Sequence, residues 1–122
     1  MTGYEYLLAF LEKENIRHKQ NGNVIQFSLH GIDYFSLRSE TKFLQISVLT
    51  TPKEEFDTLQ ILTLCNELNA EKFVTKFVYT DRRVWCNIEF IPSSKTGSDY
   101  FMRIFKLLDY NSDEFRARME KA

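Results

Sequence analysis

Cysteine, proline and glycine are all scarce in this 122-residue chain, which holds two, two and four of them. Cys65 and Cys86 lie in apolar runs with no CxxC spacing, so neither a disulfide framework nor half a zinc site is expected, and both read as reduced core thiols. So little glycine and proline leaves no material for long linkers, and a single domain spanning 1–122 is expected. Charge of one sign is missing too. Sixteen basic and seventeen acidic residues leave a formal charge of -1, without the field that would hold a phosphate backbone or an anionic membrane, so no nucleic acid and no membrane is expected as a partner. No apolar run approaches the roughly 18 residues of a membrane helix. The start, MTGYEYLLAFLEKEN, lacks the basic opening, unbroken apolar segment and cleavage site of a secretory signal. A cytoplasmic setting is the expectation.

Residues for chemistry are equally sparse. A nucleophilic site needs a nucleophile, a base and an orienting group together, yet the two histidines, His18 and His30, fall in predicted turns. Neither has a metal-ligand neighbour at helical spacing. Glu54, Glu55 and Asp57 cluster where a helix is expected to start, and acids there suit the helix dipole. Gly22, Gly31 and Gly97 stand singly, outside any phosphate-loop pattern. No catalytic, cofactor-binding or metal-ligating residue is assigned, and an enzyme is not expected. Lys72, Lys76, Arg82 and Arg83 interleave with Phe77, Tyr79 and Trp85, which a single-strand binder could use and which an ordinary charged hairpin turn explains as well.

What the chain has in quantity is aromatic and apolar side chains, eleven Phe and six Tyr among them. Tyr4, Leu7, Leu8 and Leu11 recur at helical spacing and predict an amphipathic helix over 3–15, with Thr2 as a possible N-cap. Alternation then predicts strands over 24–29, 32–38 and 43–50, separated by the turn signals His30-Gly31 and Ser39-Glu40-Thr41. In the second of these Phe35 and Leu37 oppose Tyr34 and Ser36. A second hairpin follows over 73–79 and 84–91, and a last helix carries Phe101, Ile104, Phe105 and Leu108 on one face, with Asn111-Ser112 as a possible break. The predicted order is α-β-β-β-α-β-β-α, an α+β domain with helices on an antiparallel sheet.

The central helix is expected from Pro52 to Asn69, with Thr51 as N-cap and Asn69 in the left-handed conformation that ends a helix. Its wheel has one ridge of Ile61, Leu64, Cys65 and Leu68, and a second of Leu59 and Leu62 flanked by Phe56. Either another helix of the same chain covers the second ridge, or a symmetry mate does. The sheet also carries more aromatics than one small core needs: Phe35, Phe43, Phe73, Phe77, Trp85 and Phe90. Any left exposed would form an apolar contact patch. Phe56, Leu59, Leu62, Phe77 and Trp85 are therefore the candidate dimer or partner contacts.

The run from Leu64 to Phe90, LCNELNAEKFVTKFVYTDRRVWCNIEF, with paired Asn66 and Asn69 followed by Lys76, resembles the YbjN-like family, and HGIDYFSL is similar to that family's second strand. The resemblance covers nearly the whole chain. It implies the fold of the type III secretion chaperones, including the Tir chaperone group, and a small homodimer serving as a chaperone-like or regulatory binding module. It supplies no catalytic residues. In such chaperones the central helix and nearby strands form the dimer contact, which makes Phe56, Leu59 and Leu62 dimer candidates. The expected function is thus a non-enzymatic module that binds a protein partner through exposed apolar surface. The alternative is a binder of small hydrophobic ligands with a cavity between sheet and helix.

Overall fold

The computed structural model describes residues 1–72 and 74–121. Three helices and six strands follow in the order α1 (Gly3–Lys13), β1 (His18–Asn21), β2 (Val24–Leu29), β3 (Ile32–Leu37), β4 (Leu44–Thr50), α2 (Thr58–Glu71), β5 (Thr75–Thr80), β6 (Arg83–Phe90) and α3 (Ser98–Lys121). All strands join one antiparallel sheet, ordered β1-β2-β3-β4-β6-β5. The expected α+β architecture and the order of the expected elements hold, with one strand more than predicted. That strand, β1, is wholly exposed and polar (HKQN), so it carries no alternation; it exists by pairing with β2 from His18↔Phe27 to Asn21↔Val24. His18 therefore lies on an edge strand. His30 and Gly31 form the tight reversal between β2 and β3, both at positive φ (+52° and +79°), the pair of values a two-residue hairpin turn requires.

Cross-strand register sorts the side chains onto two faces. One ladder runs Phe27↔Tyr34↔Val48↔Cys86↔Phe77 and is buried throughout, as are Ile25, Ser36, Ile46, Ile88 and Thr75 beside it. The helices cover this face. Phe10 of α1 stacks on Phe101 of α3 (centroids 4.5 Å apart), Phe105 of α3 meets Phe27 and Tyr34, and Phe115 stacks on Phe77. Strand β3 keeps the predicted alternation, and the structure decides its orientation: Tyr34 faces the core while Phe35 and Leu37 face outward. Burial of a tyrosine needs a partner for its hydroxyl, and α3 supplies one: Tyr34 Oη donates to Asp109 Oδ1 at 2.6 Å.

The helix boundaries also differ. The predicted Thr2 cap is present as a full capping box with Glu5. Helix α2, by contrast, starts at Thr58, not Pro52, because Asp57 and Gln60 form a capping box: Gln60 N–H donates to Asp57 Oδ1 at 2.8 Å and Asp57 N–H to Gln60 Oε1 at 2.9 Å. Thr51 is not the cap, and Glu54 and Glu55 lie in the loop before the helix. Nor does Asn69 end it; α2 continues to Glu71, with Lys72 as an extended C-cap. Helix α3 runs unbroken over 24 residues. Asn111 and Ser112 are buried within it and bond to the sheet, Asn111 Nδ2 donating to Thr75 Oγ1 at 2.6 Å and Ser112 Oγ lying 3.0 Å from Thr50 Oγ1. Phe73, predicted to open β5, lies outside the described residues.

Candidate functional site

Because the helices share one face of the sheet, the other face has no layer over it among the described residues. Its central row is Lys19, Gln26, Phe35, Ser47, Asn87 and Lys76, followed by Leu49, Trp85 and Val78 in the next. Leu37, at 57% exposure, and Val78, at 46%, are open to solvent, and Phe35, Leu49 and Trp85 are half-buried against one another. Phe35 and Trp85 meet edge to face, with centroids 5.4 Å apart at 89°. Antiparallel sheets commonly keep one solvated face that is polar; here Phe35, Leu49 and Trp85 form an apolar cluster among its polar residues.

A recess of about 260 Å³ sits in this face, walled by Val24, Phe35, Leu37 and Trp85 and by the polar residues Ser36, Gln45, Ser47 and Asn87. It opens where the ladder between β3 and β4 stops: only Tyr34↔Val48 and Phe35↔Ser47 are paired, whereas β4 and β6 pair from Leu44↔Phe90 to Thr50↔Val84. Asn87 Oδ1 on this side of the sheet and Ser36 Oγ on the helix-covered side are buried without a hydrogen-bond partner.

The candidate contacts fall into two groups. Leu59 and Leu62 project from α2 at 74% and 41% exposure, forming an uncovered ridge, and Trp85 belongs to the open sheet face. Phe56 and Phe77 are withdrawn into the core, at 9% and 2% exposure. Phe56 precedes α2 and is not on its ridge, and its carbonyl accepts from Arg82 Nη1 at 3.1 Å. Phe77 points toward α3, so neither side chain is available to a partner of the folded chain. The basic cluster near the second hairpin is partly engaged. Lys72 Nζ lies 2.7 Å from Glu114 Oε2, and Arg82 is tied to the loop before α2. Sequence reasoning named Phe35 among the surplus aromatics but did not single out Leu37, because β3 carries apolar residues on both faces.

A second concavity, of about 310 Å³, lies between α3 and the end of the β2–β3 hairpin and is lined by Asp33, Asp109, Ser112, Asp113 and Arg116 together with Ile32, Phe35, Val48 and Leu49. Its polar groups are mostly paired: Arg116 Nη1 donates to Ser112 Oγ at 2.9 Å and to Thr50 Oγ1 at 3.2 Å, and Nη2 to Asp113. Burial raises the Asp109 carboxyl above its ordinary range, while the Tyr34 hydrogen bond opposes that shift. Burial likewise raises the Tyr34 phenol, with the Asp109 bond and charge adding to it. The thiols of Cys65 and Cys86 are buried and free, pushed up to about 11 and about 12 by desolvation, so they are protonated and unreactive at neutral pH. Among the described residues no group of three His, Cys, Asp or Glu is placed to hold a metal ion, and no helix is long and apolar enough to cross a membrane.

No family model matches the sequence, and no curated protein matches it. Among solved structures the fold matches one titled "Crystal structure of YbjN, a putative transcription regulator from E. coli", with a TM-score of 0.62 over 96% of this chain and 87% of that one. At 10% identity the likeness is one of fold, and the chain has a YbjN-like α+β fold.

Proposed function

We propose that this chain is a non-enzymatic protein-binding module, chaperone-like or regulatory, that engages a partner segment through the open face of its sheet. The observation that carries the reading is the group of apolar side chains on that face, Phe35, Leu37, Leu49, Val78 and Trp85, with no helix over it among the described residues. An extended or amphipathic segment laid there would remove these side chains from water, at about 25 cal/mol per Å² of apolar area. The solved YbjN structure is titled a putative transcription regulator. With a formal charge of -1 on this chain, we attach a regulatory role to protein contact instead of phosphate-backbone binding. The secretion-chaperone fold that the sequence resemblance implies would suit the same mode, in which an apolar surface holds an extended client.

The module works as a homodimer in this reading, joined through Leu59 and Leu62, since an uncovered ridge on a helix suits a two-fold contact. The two surfaces are separate, so a dimer built on α2 leaves the sheet face free. Pull-down from native lysate with the wild type and with a Leu37→Lys/Val78→Lys variant tests the assignment. A specific partner retained by the wild type and by Leu59→Glu, yet lost by the sheet variant, is the expected outcome. Equal capture by all three would count against the sheet face. A ligand cavity between sheet and helix has less support, because the cleft beside α3 is lined by Asp33, Asp109, Asp113 and Arg116.

A further inference from the structure

We infer that the open sheet face takes an extended partner segment that lies across the strands and carries a carboxylate at each end of a short apolar stretch. This rests on the reading of that face as the binding surface and specifies the chemistry of what it holds. The row Lys19, Gln26, Phe35, Ser47, Asn87 and Lys76 crosses all the strands of the sheet and ends in a lysine on either side. Both lysines are exposed, and among the described residues neither lies within ion-pair distance of a carboxylate. Arg83, exposed on the same side of β6 as Trp85, has no such partner either. Of the acids on this face, Asp33 already accepts from Ser28 Oγ, and Glu89 stands opposite Gln45 in the next row. The terminal cations of the row are thus unanswered within the molecule, so a carboxylate brought by a partner finds its complement there and a second cation is repelled.

The sheet edges favour a segment laid over the face, not one added as a further strand. On β5 the Phe77 N–H and carbonyl are taken by the Asn69 side chain, and β1 offers a short run of polar residues, HKQN. With adjacent strands roughly 4.8 Å apart, the Lys19 and Lys76 backbones stand about 24 Å apart, the span of about seven extended residues. Side chains alternate along an extended chain, so carboxylates about six residues apart project to the same side as the apolar side chains at the even positions between them. Their own length and that of the lysines close the remaining distance. The apolar side chains then meet Phe35 in the row and Leu49 and Trp85 beside it, while the carboxylates meet the two lysines.

Trp85 is the single tryptophan of the chain and packs against Phe35 on this face, so its emission reports on the surface directly. The probes are capped peptides of the form X-Thr-Leu-Thr-Phe-Thr-X, with Glu, Gln or Lys at both X positions, titrated into the intact chain at low and at high salt. The Glu peptide is expected to shift Trp85 emission and, at low salt, to bind about fivefold more tightly than the Gln peptide and about twentyfold more tightly than the Lys peptide, with both ratios shrinking as salt screens the pairs. Lys19→Gln/Lys76→Gln, at two exposed positions and checked for folding by its melting curve, should bring the Glu and Gln peptides to within about twofold and leave the Gln peptide's own affinity unchanged. A Glu preference that survives in this variant overturns the assignment to the two lysines. Equal binding of the Glu and Gln peptides by the wild type, or no response of Trp85 to any of them, overturns the inference and leaves Lys19 and Lys76 as edge charges that deter strand pairing. An oligothymidylate that binds more tightly than the Glu peptide, and less tightly once both lysines are replaced, overturns the partner class and makes the face a platform for single-stranded nucleic acid. Where the lysate partner is lost in Leu37→Lys/Val78→Lys but the Glu preference is absent, the acid selection alone falls; where that variant leaves capture unaffected, the sheet-face reading falls.

Discussion

Asn69 acts on the edge strand β5 as one residue of a neighbouring strand would. Its Nδ2 donates to the Phe77 carbonyl at 3.0 Å and its Oδ1 accepts from the Phe77 N–H at 2.7 Å, pairing main-chain groups that an edge otherwise leaves open. Asn69→Ala removes both bonds and should cost about 1–3 kcal/mol in a urea melt; a cost below about 0.5 would mean that water replaces the amide. Gly3 is required for a different reason. A Cβ there would stand 2.7 Å from the Phe43 carbonyl carbon and 2.9 Å from Leu44 N, both backbone, so α1 could not keep its place against the chain before β4. Gly3→Ala should lower stability by about 1–3 kcal/mol, and an unchanged melting temperature would contradict the close approach. At the far end of α2, Arg118 bonds to Glu71 and Glu114, and Lys72 pairs with Glu114. The hydrogen bond from Arg118 lowers the Glu71 carboxyl and that from Lys72 lowers Glu114. A carboxylate with a folded pKa below its unfolded value of about 4.3 contributes stability that is complete above that value and is lost as pH falls through the folded one. Melting temperature should therefore drop on acidification below about pH 4, less steeply in Glu114→Gln, and a pH-independent difference between the two would refute the role of the pairs.

Elements were legible where one face alone was apolar. Helix α1, strands β2 and β4 and the ridge of Ile61, Leu64, Cys65 and Leu68 follow from spacing, since burial sides with the only apolar face present. Strand β1 was not, because four exposed polar residues carry no periodicity and pair only through the hairpin. The orientation of strand β3 was left open for the opposite reason: both Tyr34 and Phe35 could be core, and the choice depends on Asp109, 75 residues away. The start of α2 was legible in principle, since Asp57 and Gln60 have capping-box spacing, but Pro52 and the acids after it suggested an earlier helix. Asn111 and Ser112 resemble a helix break until their partners on β5 and β4 are known. The ridge of Leu59 and Leu62 is an element-scale feature with an element-scale test. At 74% exposure Leu59 contributes little to the folded monomer, so Leu59→Glu should alter its stability by less than about 0.5 kcal/mol. Light scattering should nonetheless show the variant at half the mass of the wild type, and a wild-type chain that is already monomeric at micromolar concentration would remove the ridge as a dimer contact.

The whole molecule is a two-layer structure that lacks a third layer. Three helices bury one face of a six-stranded sheet, and the opposite face keeps an apolar cluster among polar residues, with a recess beside it. That imbalance was half legible in the sequence: the surplus of sheet aromatics, Phe35 and Trp85 among them, pointed to a contact patch, but only register places these two with Leu49 across β3, β4 and β6. The fold shared with YbjN gives the frame and not the occupant. The most direct test of the central claim is site-specific photo-crosslinking in living cells, with the reactive group at Leu37 or Val78 on the open face and at exposed Glu12 on α1 as control. The account predicts a discrete adduct with another protein from both sheet positions and none from Glu12. Adducts no stronger from Leu37 and Val78 than from Glu12, or adducts only between copies of this chain, would contradict it.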